Sequence, residues 1–170
     1  MFGRRKTDDV RFPEVEGITL TGEALSLPSA FAAPWNLVVL TFRNEDDPLA
    51  DQWIRLAERL AADRKLAAYE CPLVEKGLNF ARPLVSYGIQ LQAEDEAERA
   101  RTIPLFVDRD RFLKKLGVKK PDAVLVVLAA PDGRIGWRGA DAMTFEQIAD
   151  LEATLDRLTA EQAEGEQAPG

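Results

Sequence analysis

The sequence predicts an α/β fold: a mixed central β-sheet with flanking helices and an N-terminal extension. Three observations carry this expectation. Continuous apolar, β-branched runs at Trp35–Arg43, Leu66–Val74 and Ala123–Ala129 read as buried strands. Stretches such as Leu49, Trp53, Leu56 and Leu60 place apolar residues at helical spacing between those runs. Asp132-Gly133, between two extended runs, is the strongest short-range hairpin signal a sequence offers. A chain of 170 residues, 46% hydrophobic and 30% charged, suits one globular domain. Its expected bounds are 12–159, with a charged tail over 1–11 and a disordered acidic tail over 160–170.

Phe12–Pro28 alternates loosely, and Thr21-Gly22-Glu23 offers a turn between two short extended runs. Trp35–Arg43 is too continuous an apolar run for a half-exposed strand and reads as the central one. Asp46 or Asp47 suits the N-cap of the helix that follows, with Pro48 in its first turn and an end near Ala62. Leu66–Val74 is the second core strand, where Pro72 is expected at an end or an edge. Glu75–Arg101 is the least regular stretch; its half QAEDEAERAR suits a short polar helix or a mobile loop. Ile103–Val107 is a short strand. Asp108 or Asp110 then caps a helix carrying Phe112, Leu113 and Leu116, which Gly117 stops in a left-handed conformation. Ala123–Ala129 and Arg134–Arg138 form the hairpin. The last helix starts at Thr144 with a Thr144/Gln147 capping box and buries Ile148, Leu151, Leu155 and Leu158.

Composition excludes several chemistries. The chain has no histidine, so no Ser-His-Asp triad, Cys-His pair or imidazole metal ligand exists. Cys71 is the sole cysteine, which removes any intramolecular disulfide or CxxC motif and fits a reducing compartment. A net charge of −7 and a pI near 4.8 argue against nucleic-acid or anionic-membrane partners. The start MFGRRKTDDVRF lacks the apolar stretch of a secretory signal, and no run approaches the about 20 apolar residues of a membrane span. The expectation is a cytoplasmic protein without membrane insertion.

Element order and several phrases resemble the thioredoxin-like superfamily. FPEVEGITLTGEALSLPSAF resembles the amino-terminal segment of peroxiredoxins and related redoxins, and VVLTFRNEDDP sits where that superfamily leads into its active-site loop. IPLFVDRDRFLKKLGV and KKPDAVLVVLAAPDGRIGWRGA resemble its later strand–helix and closing hairpin segments. The redox cysteines are missing: Asp46 and Leu49 stand where a C-x-P-C loop would carry its thiols, and Ala50 and Asp51 offer none in a peroxiredoxin frame. YECP, RARTI, FVDRDRF and GRIGW resemble phrases of cysteine-free thioredoxin-like proteins, including the mitochondrial ATP-synthase assembly factor family. The resemblance implies a partner-gripping surface formed by Asp46, Asp47, Pro48 and Leu49 with the Lys120–Pro121 loop, Pro121 matching the position of the superfamily's cis-proline. It is also compatible with a homodimer, since redoxin relatives often pair through sheet edges or helices.

Other candidates are weighed on chemistry. Cys71 is the only conceivable nucleophile, but it lies in an apolar run with no cation or helix start beside it in sequence, so a buried core cysteine is the expected reading. Glu45, Asp46, Asp47 and Asp51 form an acidic cluster that suits a hard cation, although carboxylates at a helix start are favourable through the dipole alone. Arg82, Arg99, Arg101, Arg134 and Arg138 would need to converge to bind an anion. Trp35 and Trp53 read as packing, whereas an exposed Trp137 would favour binding. Gly136 and Gly139 have the wrong spacing for a nucleotide loop. The function expected is therefore a non-catalytic module that binds a protein partner or extended peptide, without cofactor or metal. The alternative is a thiol-dependent peroxidase, oxidoreductase or redox sensor using Cys71.

Overall fold

The three apolar runs become the inner strands of one sheet. The structure, a computed structural model, describes residues 10–43, 47–76 and 95–167. It begins with an antiparallel hairpin of β1 (Val15–Ile18) and β2 (Ala24–Leu27), turned at Gly22 with φ +95°. β3 (Trp35–Thr41) leads to α1 (Asp47–Leu60), which a 3-10 turn at Ala61–Asp63 continues before β4 (Leu66–Glu75). α2 (Glu96–Arg101), β5 (Leu105–Val107), α3 (Arg109–Lys115), β6 (Val124–Ala129), β7 (Ile135–Ala140) and α4 (Phe145–Gln167) follow.

Among the described residues the main sheet has five strands in the order β5-β4-β3-β6-β7. β3, β4 and β5 run parallel, while β6 and β7 run antiparallel to their neighbours. All seven residues of β3 are buried, because helices or the N-terminal hairpin cover both faces of the sheet. Side-chain alternation divides the core. Val38, Leu40, Tyr69, Cys71 and Leu73 pack with Phe12, Phe31 and Phe112 on one face. Leu37, Val39, Val126 and Leu128 pack with Trp53, Ile54, Leu151 and Leu155 from α1 and α4 on the other. Buried Asn36 is satisfied: its amide donates to the Ala33 and Ala129 carbonyls, and its oxygen accepts from Ala33 N–H.

Local signals work as their chemistry requires. Asp108 caps α3 by accepting from Arg111 N–H at 3.1 Å, and Gly117 follows the helix with φ +70°. Asp95 caps α2, so the polar half of the irregular stretch is helical over Glu96–Arg101. Thr144 and Gln147 form the reciprocal capping box, both bonds 3.1 Å long.

Two expectations need correction, and the condition set for Trp137 is not met. Pro72 lies within the span of β4 and not at its end. Its ladder with β3 closes at the Thr41–Pro72 pair, and on the other side of β4 Pro72 falls between the Glu70–Thr102 bridge and the Leu73–Leu105 pair, so its missing N–H coincides with a gap in that pairing. The last helix does not stop at Thr159: α4 runs to Gln167, so 160–167 is helical where a disordered tail was expected. Alanine, glutamate and glutamine are good helix formers, and Arg157 pairs with Glu161 one turn on at 3.3 Å. Trp137 is only 8% exposed, because its ring packs against Trp53 and its indole N–H donates to Asp150 at 2.8 Å. The N-cap expected of Asp46, most of the tail over 1–11, and residues 77–94 and 168–170 lie outside the described residues.

Candidate functional site

The predicted partner surface lies where β3 leaves the sheet. α1 begins at Asp47, and Pro48 in its first turn is exposed while Leu49 is half-buried against the core. β6 starts opposite the end of β3, in the Thr41–Val124 pair, so the segment holding Lys120 and Pro121 arrives at the same end of the sheet. Arg43 joins the two connections by donating from Nη2 to the Asp122 carbonyl at 3.1 Å. Asp141 fixes the same segment: its carboxylate accepts from Ala123 N–H at 2.7 Å and Val124 N–H at 3.2 Å. Lys120 is exposed and Pro121 half-buried. Among the described residues the cis peptide bond is Leu27–Pro28, so Lys120–Pro121 is trans and Pro121 lacks the geometry its position implies in the resemblance. Asp46 lies outside the described residues, as does the side chain of Asp47.

Cys71 is 0% exposed and pairs with Leu40, one pair before the parallel ladder closes at Thr41–Pro72. Burial pushes its thiol well above the ordinary range, and the neighbouring Glu70 carboxylate pushes it further. A nucleophilic cysteine requires a stabilised thiolate and access; this one has neither in the folded chain.

The acidic residues regroup in three dimensions. Asp51 of α1 meets Glu70 of β4 and Glu98 of α2, with carboxylate oxygens all within 4.8 Å of one another. Glu45 and Asp46 lie outside the described residues. Sequence reading missed Glu70 and Glu98, because three separate elements bring them together. The available signal was Glu70 itself, a charge inside the otherwise apolar run LAAYECPLV. Each of the three makes a further interaction, so the cluster is not a set of free ligands.

The arginines do not assemble an anion site among the described residues. Arg101 donates to Glu58 at 2.9 Å. Arg134 donates to Asp132 at 2.8 Å and lies over the Trp35 ring at 5.5 Å. Arg138 donates to the Leu116 carbonyl at 3.1 Å beyond α3, its Nε buried without a partner and its pKa lowered by desolvation. Arg82 lies outside the described residues. Gly136 and Gly139 serve packing: a Cβ at Gly136 would stand 2.8 Å from Leu158 Cδ1, and one at Gly139 would overlap the Trp137 ring.

No protein-family model matches the chain, and no curated protein matches it. Solved structures do. A thiol:disulfide interchange protein from Bacteroides sp. superposes with TM-score 0.56 at 15% identity, covering 89% of each chain. BsSco, a member of the Sco family of cytochrome c oxidase assembly proteins, gives TM-score 0.60 at 14% identity over 89% of this chain and 94% of its own. An uncharacterized conserved protein from Geobacillus kaustophilus gives TM-score 0.60 at 11% identity, covering 89% of this chain and 81% of that one. The fold is thioredoxin-like, as the element order implied. The chain carries that fold with one cysteine and without a CxxC motif. No helix among the described residues is long and apolar enough to cross a membrane.

Proposed function

We propose that the chain is a non-catalytic binding or assembly module that uses the thioredoxin-like fold without thiol chemistry. The observation that carries this reading is Cys71: the sole thiol, fully buried, with its pKa driven upward. What the fold retains is the end of the sheet where the start of α1 and the Lys120–Pro121 segment meet. Pro48 and Lys120 are exposed there, on a backbone held by Arg43 and Asp141. A rigid scaffold presenting short connections suits recognition of an extended protein segment. The described neighbour that assembles cytochrome c oxidase supports an assembly role as precedent for the fold. The phrases that resemble those of the ATP-synthase assembly factor family point the same way.

The test has two arms. Insulin disulfide reduction and hydrogen peroxide consumption are expected at the uncatalysed rate; turnover abolished by Cys71→Ala would replace this reading with the thiol-enzyme one. Affinity capture is then compared between the wild-type chain and a Pro48→Arg/Lys120→Glu variant of unchanged melting temperature. A partner lost from the variant supports the surface, and one retained at equal yield removes it.

A further inference from the structure

The outer face of α1 carries a second surface, apart from the start of the helix. Gln52, Arg55, Glu58 and Arg59 line an open groove of about 540 Å³, with Met143 from the turn before α4. Its lining is mostly apolar, from Met143 and the aliphatic stems of the long side chains. Two residues beyond Met143, Phe145 opens α4 and is 93% exposed. Arg55 and Arg59 stand one turn apart and have no ion-pair partner among the described residues. Glu58 between them is engaged by Arg101 at 2.9 Å, and Asp51 one turn earlier gathers with Glu70 and Glu98. Like charges one turn apart cost a helix stability. In a chain of net charge −7 they form a local basic spot beside the half-buried Met143.

We propose that this groove docks an acidic amphipathic helix from a partner protein. The apolar stripe of that helix covers Met143 and Phe145, and its carboxylates meet Arg55 and Arg59. Charge complementarity selects the sign of the partner, and its apolar stripe answers the lining of the groove. A helix fits better than a strand because the backbone of α1 is already hydrogen-bonded internally and offers no ladder to an extended segment. A second copy of this chain is a poorer occupant. Its exposed acidic stretch at the end of α4 carries Glu161 and Glu164 but only alanine as apolar residue, too small to fill the groove.

The test is fluorescence anisotropy on the full chain with a labelled synthetic helix bearing a leucine stripe flanked by glutamates, against the same helix with lysines instead. Saturable binding of the glutamate helix is expected, with the lysine helix and an Arg55→Glu/Arg59→Glu variant each at least about tenfold weaker. Added salt should weaken it, and so should Phe145→Ser, a change at an exposed side chain. No saturable binding of the glutamate helix up to about 1 mM overturns the proposal, as does equal affinity for the charge-reversed variant. Sedimentation completes the test: a dimer that Arg55→Glu/Arg59→Glu converts to monomer, and that the glutamate helix does not displace, assigns the groove to a second copy and overturns the partner-protein reading.

Discussion

Trp53 donates its indole N–H to the main-chain carbonyl of Asp141 at 2.8 Å, tying the middle of α1 to the residue that follows β7. Asp141 adopts φ +61°, a left-handed conformation that aspartate tolerates better than most residues, and its carboxylate holds the amides of Ala123 and Val124. One residue thereby fixes the approach to β6, where the Lys120–Pro121 segment enters the sheet. Asp141→Ala should cost about 2–3 kcal/mol in urea unfolding, since it strands two amides and keeps the strained backbone. Asp141→Asn, which retains an acceptor, should cost about 1 kcal/mol or less.

Cys71 should be silent toward a thiol reagent in the native chain and react at once in denaturant, because reaction has to wait for opening of the β3–β4 ladder. Its raised pKa also sets a pH dependence. Below about 8.5, the unfolded value, the thiol is protonated in both states and stability is unaffected. Above that, the unfolded chain releases a proton that the folded chain retains, so stability falls by about 1.4 kcal/mol per pH unit from this group. Comparing urea midpoints of wild type and Cys71→Ala from neutral to alkaline pH isolates the effect, since the variant should lose that part of the slope.

Two glycines should respond in opposite directions to alanine. At Gly136 the new Cβ would lie 2.8 Å from Leu158 Cδ1 and 3.0 Å from Trp35, both in the packed layer between β7 and α4. Gly136→Ala should therefore cost about 1–3 kcal/mol by overpacking. At Gly165 nothing lies within 4 Å of the new atom and the backbone is helical. Gly165→Ala should raise the far-UV helical signal and leave the chain slightly more stable, by up to about 1 kcal/mol. A fall in helicity would contradict the continuation of α4 to Gln167.

The capping box at the start of α4 is separable by a double-mutant cycle. Thr144→Ala leaves the Gln147 amide without its acceptor and should cost about 1 kcal/mol. Gln147→Ala removes the bond to Thr144 N–H and a second one to the Ala140 carbonyl. The double variant should cost less than the two together, by about 0.5 kcal/mol or more, because each residue serves the other.

The sequence alone determined the layers of this protein. Strands with continuous apolar runs had to be inner strands, and hydrophobic periodicity, turn chemistry and capping residues are local properties that act within a few residues. Trp35–Thr41, the Gly22 turn, the Asp108 cap and the Thr144 box were legible for that reason. Absence was legible too: without histidine or a second cysteine, whole reaction classes were closed before any geometry was known. Tertiary structure alone decided what depends on strand order and on which helix packs against which face. Only the β5-β4-β3 order places Pro72 between the Glu70–Thr102 bridge and the Leu73–Leu105 pair, and only the packing of β7 under α1 and α4 buries Trp137. The meeting of Asp51, Glu70 and Glu98 and the placing of Arg55 and Arg59 beside Met143 share that origin. Each joins elements distant in the chain, and no local propensity encodes which distant elements fold against one another.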